Sequence, residues 1–345
     1  MQQEALVKSL LEQARWCEKL GSSFYGNLLL RIADNVQSSG ICWRLLEQRR
    51  ADPRRSLLPL RFLAAIHRLV LANQLPELAA FYPSTGGVPQ ADAAWQTLER
   101  ELRRCGDLVL DSLPESVQTN EVARSCALLP GFLAAAKWAN MPLRLLELGC
   151  SAGLNLRWDC YRYDTPSGAW GPSSSPVHFV NPFGESGPDL SGVVTVSERS
   201  GCDLHPINPT TADGRLTLLS FVWPDQMDRF RLLLRASDIA GATPAKIERA
   251  NAIDWLPAQL DRMPSGVATV VFHSIFMLYV SHPDQHSLVN IILDAGNRAR
   301  PDAPFAWLSM EQTGQAVEIQ LSLWPGGLRK RIAVSDYHGT RTVIL

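Results

Sequence analysis

The sequence has no long unbroken hydrophobic run. Its most apolar helical stretch, near Leu57 to Leu75, is interrupted by Arg61, His67 and Arg68, so no segment is expected to cross a membrane. The opening residues, MQQEALVKSLLEQARW, carry acids on an amphipathic pattern rather than an apolar signal core. No one sign of charge prevails either: 33 Lys and Arg stand against 34 Asp and Glu, a net charge of -1. That balance gives no footprint for capturing nucleic acid or an acidic membrane, and neither is expected as a partner. The local cluster Arg49, Arg50, Arg54 and Arg55 reads as a solvated loop.

Cysteine is present but unorganised. Cys17, Cys42, Cys105, Cys126, Cys150, Cys160 and Cys202 are odd in number and contain no C-x-x-C pair. A disulfide framework and a structural zinc site are therefore not expected, and a reducing cytoplasm is the expected location. His282 and His286 in HPDQH have helical ligand spacing, but Pro283 stands where a zinc-protease helix carries Glu. With no third ligand evident, no metal is expected. Internal repeats and low-complexity segments are also missing.

What is present is an ordinary globular chain of 345 residues, 46% hydrophobic, enough for one large domain or two modest ones. NLLLRIADNV, PLRFLAAIHRLVLANQL and AAWQTLERELRRC have helical periodicity and are separated by Asp52-Pro53 and YPSTGGVP. A further helix is expected near Asn120 to Ala139. From Leu143 strand-like runs alternate with helical ones: LRLLELG, GVVTVSER, DQMDRFRLLLRASDIA, KIERANAIDWL, GVATVVFHSIFMLYV and PFAWLSMEQ. This alternation predicts an α/β doubly wound, mainly parallel sheet. VEIQLSLW, RKRIAVS and TRTVIL predict antiparallel strands at the C-terminus. The expected division is a helical domain over 1–115 and an α/β domain over 116–345, with an inserted loop or hairpin near 164–192.

LLELGCSAGLN, Leu145 to Asn155, predicts a buried strand, a glycine turn and a helix start. Ligands in open α/β sheets bind beyond the carboxyl ends of the strands, at the point where strand order reverses. Gly149 and Gly153 sit where a backbone must turn sharply or approach a ligand, with Ser151 and Ala152 small between them. The pattern is E-x-G-x-x-x-G, without a Walker lysine, which disfavours a nucleoside-triphosphate loop. Glu147 is an acid on an apolar strand, costly unless it meets a cation or donors. A structural ion pair with Arg124 or Arg144 would also serve. The stretch is at the same time a literal G-x-S-x-G, so a serine hydrolase with Ser151 as nucleophile is an alternative, with Asp302 and His338 as partners. Cys150 reads as a small residue rather than a nucleophile.

Glu147 to Gly153 resembles the first motif of class I S-adenosylmethionine (SAM) dependent methyltransferases. QTNEVARS, LLELGCSAGLNL, SERSGCDLHPIN, FVWPDQMDR, FHSIFMLYV and a C-terminal YHG together resemble the uncharacterised bacterial domain-of-unknown-function family 2332. The resemblance implies a Rossmann-like, class I methyltransferase-like fold and SAM as cofactor, with a small-molecule acceptor. It implies that Glu147, Gly149, Ser151, Gly153 and Asn155 line the amino-acid part of SAM. Glu198 is the implied ribose carboxylate, with Asp159, Asp164 and Asp203 as replacements, because Glu198 lies far downstream. Asn251, Ala252, Asp254 and Trp255 take the adenine position, and His273 and Ser274 the end of the fourth strand.

His273 is the candidate base, with a packed strand-end histidine as the plainer reading; Asp203 and Tyr161 are further catalytic candidates. Asp203 and His205 are loop residues on the substrate side, and Tyr161 and Tyr163 serve contact or packing. Asn120, Glu121 and Arg124 either contact cofactor or substrate, or Thr119 or Asn120 caps the next helix. Asp225, after Trp223 and Pro224, is expected to cap the helix that follows, with Asp228 near its positive end; Trp223 is either core or pocket wall. The expected activity is methyl transfer to a small molecule, with the N-terminal helices as a lid. Lyase or cyclisation chemistry on SAM and a non-catalytic SAM-binding protein are the other expectations.

Overall fold

The computed structural model describes residues 2–47, 57–185, 187–314 and 316–345. The arginine loop at Arg49, Arg50, Arg54 and Arg55 falls outside them. By contact the chain divides into two units, Met1–Thr119 with Thr211–Leu234, and Asn120–Thr210 with Arg235–Leu345. Among the described residues no helix is long and apolar enough to cross a membrane.

The first unit is helical because its apolar residues recur every three to four positions. It holds α1 (Gln2–Lys19), α2 (Ser23–Gln37), α3 (Ile41–Leu46), α4 (Leu58–Leu71), α5 (Pro76–Ala79) and α6 (Ala91–Asp111), joined by α8 (Ala212–Ser220) and the start of α9 (Met227–Ala242). Leu28, Leu29, Ile32 and Val36 of α2 meet Phe62, Ile66 and Leu69 of α4 and Leu98 and Leu102 of α6 in one core. Each such side chain contributes about 1.5–3 kcal/mol on burial. Trp223 belongs to that core. Asp225 does not cap α9, which begins at Met227 with Asp228 in its first turn. Its carboxylate instead accepts from Ser22 Oγ at 2.6 Å and from the Phe24 backbone N at 3.2 Å. Asp225 thus secures the start of α2, a partner about 200 residues away that local spacing cannot reveal.

His67 is fully buried in this unit. Its Nδ1 is 3.1 Å from the Ser220 carbonyl and its Nε2 is 2.7 Å from Ser84 Oγ, which fits a neutral ring with its proton on Nδ1. Burial lowers its pKa from 6.5 to about 4, against smaller opposing effects from backbone hydrogen bonds.

The second unit is built on one eight-stranded sheet among the described residues, in the order β11-β10-β9-β8-β7-β1-β5-β6. Its strands are β1 (Leu143–Leu148), β5 (Val196–Asp203), β6 (Lys246–Arg249), β7 (Ala268–Ser274), β8 (Phe305–Thr313), β9 (Ala316–Trp324), β10 (Leu328–Ser335) and β11 (Val343–Ile344). From β6 to β8 every pairing is parallel, and from β8 to β11 every pairing is antiparallel. This is the expected mixed α/β architecture with antiparallel C-terminal strands. The chain runs outward from β1 through β5 to β6, then returns to the other side of β1 as β7 and β8. Strand order therefore reverses between β1 and β7.

Helix α7 (Arg124–Ala139) is buried along nearly its whole length and packs on β7 to β10. Helices α10 (Ala252–Leu260) and α11 (His282–Asn297) join Leu146, Leu148 and Val271 in a second core. Side chains alternate across a sheet, so Glu147, between Leu146 and Leu148, points away from that core. It faces the side of its register partner Phe272, whose ring meets Phe132 of α7 edge-on at 5.0 Å.

Two expected elements differ. The helix expected from Asn120 begins only at Arg124. After the glycine turn no α-helix forms: Leu154–Cys160 is a 3-10 helix with non-helical geometry at Arg157. The chain then enters β2 (Arg162–Thr165), β3 (Gly168–Trp170) and β4 (His178–Val180), a separate sheet in the order β3-β2-β4. The region expected as a loop or hairpin near 164–192 is therefore a hairpin plus a parallel third strand. Its rings explain the local order: Phe132, Trp158 and Trp170 stack successively at 4.5 and 5.0 Å.

Replacing Asp225 by Ala is expected to destabilise the protein by about 1–2 kcal/mol, read from denaturant midpoints at constant slope. His67 makes the protein acid-sensitive in a defined window. The unfolded state takes up its proton near pH 6.5 and the folded state only near about 4, so stability falls as pH falls through that range. His67→Gln is expected to flatten that part of the stability–pH curve while lowering stability at neutral pH.

Candidate functional site

The carboxyl ends of β1, β5 and β7 carry the site. Leaving β1, Gly149, Ser151 and Gly153 take left-handed φ values of 65°, 52° and 64°, which cost a residue with a Cβ roughly 1–2 kcal/mol. Glycine is required at two of them for space as well. A Cβ on Gly149 would lie 2.3 Å from the Phe276 ring, and one on Gly153 would lie 2.7 Å from Ile247 Cδ1. In this structure the close approach to both glycines is therefore made by protein side chains.

The turn is held from outside. The Ser151 backbone N donates to Asp203 Oδ2 at 2.9 Å, and the His205 backbone N donates to Asp203 Oδ1 at 2.9 Å. The Leu154 backbone N donates to Asn120 Oδ1 at 3.0 Å, and Asn155 Nδ2 to the Glu121 carbonyl at 3.3 Å. The capping expected of Thr119 or Asn120 at the following helix is not found, since Ala123 starts α7 without a side-chain cap. Asn120 caps the 3-10 helix instead. Tyr161 and Tyr163 secure the same segment, donating to the carbonyls of Leu154 and Trp158 at 2.6 and 2.8 Å.

Glu147 is the electrostatic centre. It is 2% exposed, and its Oε2 has no hydrogen-bond partner. Burial raises its pKa well above 4.5; Arg157 and Arg124 oppose the rise and Asp203 adds to it. The ion pair with Arg144 does not form. Arg144 Nε lies 3.2 Å from Glu198 Oε2, and its other nitrogens bond Gln259 and the Arg262 carbonyl. Asn155 is equally enclosed, at 1% exposure, and its Oδ1 also has no donor.

Several expected roles are corrected. Glu198 pairs in register with Arg144 near the start of β1, at the opposite end of the sheet from the turn, and also binds Arg262. It cannot reach a ligand at the turn. The acid at the tip of β5 is Asp203. As its two oxygens accept backbone N–H groups, Asp203 anchors the turn rather than transferring protons. Asp159 is held bidentately by Arg199 at 2.7 Å, and Asp164 by Arg162 and His178 at 2.6 and 2.7 Å. Tyr161 is fully buried with its hydroxyl committed to Leu154, so it meets no substrate.

His273 is 1% exposed, with Nδ1 2.6 Å from Glu311 Oε1, while the Trp307 indole donates to its Nε2 at 3.0 Å. Both nitrogens are engaged, which leaves no lone pair for a general base. Trp255 is a core residue whose indole donates to Glu248 at 2.9 Å, so it does not cover a ligand.

Asn251 and Asp254 are exposed at the start of α10, where Asn251 is the N-cap, and Ala252 is buried. Ser274 ends β7, and its carbonyl accepts from Arg124 Nη1 at 3.2 Å. Burial, with the nearby Glu147 carboxyl next, pushes the Cys150 thiol well above 9.0, consistent with a packing residue. Among the described residues no group of three or more His, Cys, Asp and Glu could hold a metal.

For the hydrolase alternative, Ser151 has the left-handed φ of a nucleophile elbow. Asp302 lies on the wrong edge: it precedes β8, where its carbonyl accepts from the Gly266 backbone N and its side chain from Ser265 Oγ. Sequence reading missed Glu311 and Phe276. Glu311 Oε1 also accepts the backbone N–H groups of Phe276 and Met277 at 2.9 and 3.3 Å, so it shapes the whole end of β7. The MEQ run gives no hint of this, since the partners lie on β7 and in the turn that follows it.

These features define a mixed α/β protein with a glycine turn and a buried acid at the reversal point of its sheet. The chain belongs to the bacterial family described as "Uncharacterized protein conserved in bacteria (DUF2332)", whose model matches residues 7–343. No curated protein and no solved structure matches it.

Glu147 carries a testable cost. Its folded pKa is raised above 4.5, so the unfolded state releases the proton first, and this group's contribution makes stability fall as pH rises above that value. Glu147→Gln keeps the shape without the ionisation. The variant is expected to be at least as stable as the parent at neutral pH and to lose that slope in a series of thermal melts.

Proposed function

We propose that this crevice binds SAM and that the protein methylates a small molecule. One observation carries the reading. At the reversal between β1 and β7, a turn of left-handed residues separates Glu147 from Asn155, and each has a buried oxygen without a donor. The parallel strands, counted along the chain, lie in the spatial order 3-2-1-4-5, with ligand space expected at the carboxyl edge beside strand 1.

The chemistry of these two oxygens supports the reading. Both are acceptors, and SAM brings an ammonium, which only donates, and a second cationic centre at sulfur. A buried carboxyl that gains a cation becomes an ionised, charge-assisted acceptor. Asp203, at the tip of β5, uses one lone pair of Oδ2 on the Ser151 N–H of the turn and one of Oδ1 on the His205 N–H, and keeps the others for ribose hydroxyls. Asn251, exposed beyond β6, offers an amide to the base. The Phe276 ring against Gly149 must yield for the amino-acid part to reach the turn.

Bound SAM would supply an activated methyl group. The protein's own part is positioning: a rigid turn, pinned from four sides, fixes one reactant and so removes much of the entropy of encounter. His273 is committed to Glu311 and Trp307, so an acceptor proton must leave to water or to another group.

Calorimetry with SAM, S-adenosylhomocysteine and NAD tests this reading. SAM and S-adenosylhomocysteine are expected to bind and NAD to fail. Glu147→Gln, which keeps the fold, is expected to weaken SAM by about tenfold or more, the size of one charge-assisted contact. Absence of binding by either sulfur ligand to folded protein would sink the proposal. Products then decide the chemistry: S-adenosylhomocysteine marks methyl transfer, methylthioadenosine marks lyase or cyclisation chemistry, and neither marks a binding protein. Labelling of Ser151 by a fluorophosphonate would favour the hydrolase.

A further inference from the structure

Beyond β7 the chain carries consecutive apolar residues that are not fully covered. Phe276, Met277 and Leu278 are partly buried and Tyr279 is 44% exposed. Segments with few buried apolar contacts open more readily than the body of a fold, and ligand lids are drawn from them. The entrance to this one is strained. Ile275, 5% exposed, takes a left-handed φ of 50°, an outlier for a β-branched residue. It is also the point where the chain leaves the sheet, its N–H still donating to the Met310 carbonyl of β8 at 2.8 Å. At the other end Val280 runs extended into Ser281, the N-cap of α11.

Two contacts fasten the segment over the site. The Phe276 ring lies on the glycine turn, where a Cβ on Gly149 would fall 2.3 Å from it, and packs at the margin of the second core. Glu311 Oε1 accepts the Phe276 and Met277 N–H groups at 2.9 and 3.3 Å, and His273 Nδ1 lies 2.6 Å from the same oxygen. Three donors converge on an oxygen with two lone pairs, and the Met277 bond is stretched beyond the usual range. The far end is held separately, by Gln285 Nε2 donating to the Met277 and Val280 carbonyls at 2.8 and 3.0 Å. Released from Glu311, the segment stays tethered to α11. Returning Ile275 to an ordinary φ regains what its left-handed backbone costs and opposes the loss of the Glu311 bonds, and the two effects are of similar size.

We infer that Ile275–Val280 is an autoinhibitory strap, hinged at Ile275, whose Phe276 ring covers Gly149 until a ligand at the turn displaces it. That this ligand is SAM rests on the reading above; the strap itself does not.

Chymotrypsin reads the strap without any ligand, because cleavage of a native protein follows the population of its opened form. Phe276→Ala removes the ring, and Glu311→Gln keeps the shape of the fastener without its charge. Cleavage after Leu278 and Tyr279 is expected to quicken about tenfold in the first and several-fold in the second, well below the melting temperature and with no new cuts elsewhere. SAM affinity, by calorimetry, is expected to rise by a similar factor in each, since a closed population weakens apparent binding in proportion. In the parent, SAM is expected to slow amide exchange at Ser151 and to quicken it at Phe276 and Met277, where plain stabilisation by a ligand would slow all three. The inference is overturned if neither variant is cut faster, if SAM binds the parent and both variants equally, or if all three amides slow together. Faster cutting in variants that, like the parent, ignore SAM leaves the strap standing and removes the SAM reading. SAM binding without faster cutting does the reverse.

Discussion

The carboxylate of Asp203 holds the second unit's functional edge together. One oxygen takes the Ser151 N–H from the turn after β1, and the other takes the His205 N–H from the loop after β5. Adjacent parallel strands leave a sheet with unpaired backbone groups at their tips, and a single bidentate acceptor satisfies one from each. The turn depends on this more than most, because no α-helix follows to stabilise it. Asn120, Tyr161 and Tyr163 supply from outside what a helix would have supplied from within.

That arrangement has a cost at its centre. Glu147 and Asn155 sit on either side of the turn with buried oxygens that find no donor. A native fold keeps few such groups, and each destabilises by roughly 1–3 kcal/mol. Other buried polar atoms of the second unit also lack a hydrogen-bond partner, among them Arg144 Nε and Thr269 Oγ1 on the sheet. What sets Glu147 and Asn155 apart is their place, on either side of the turn at the reversal of strand order.

The parts of the fold carried by periodicity were legible. The helices of the first unit, the parallel strands and the antiparallel C-terminal ones follow from repeats of three to four and of two. The site was legible only as a stretch. Gly149 to Gly153 stood out because small residues there have a conformational reason. The individual roles did not, since each depends on a partner distant in sequence. Glu198 and Asp203 lie five positions apart on one strand, and only register decides that the first faces Arg144 at one end and the second the turn at the other. His273 has a plausible base's position, yet Trp307 and Glu311 close both its nitrogens.

By itself the sequence determined that this chain forms helices first and a mixed sheet after, that the sheet carries antiparallel strands at its end, and that LLELG turns sharply beyond a buried strand. These are consequences of short-range spacing and of which residues tolerate a left-handed backbone. Only the tertiary structure decided which acid reaches the turn, that Asp225 caps a helix of the first unit, that a 3-10 segment replaces the expected helix, and that Glu147 is left without a donor. Hydrogen bonds saturate and need contact within about 3 Å, so the identity of a polar group's partner is fixed by folding and not by its neighbours along the chain.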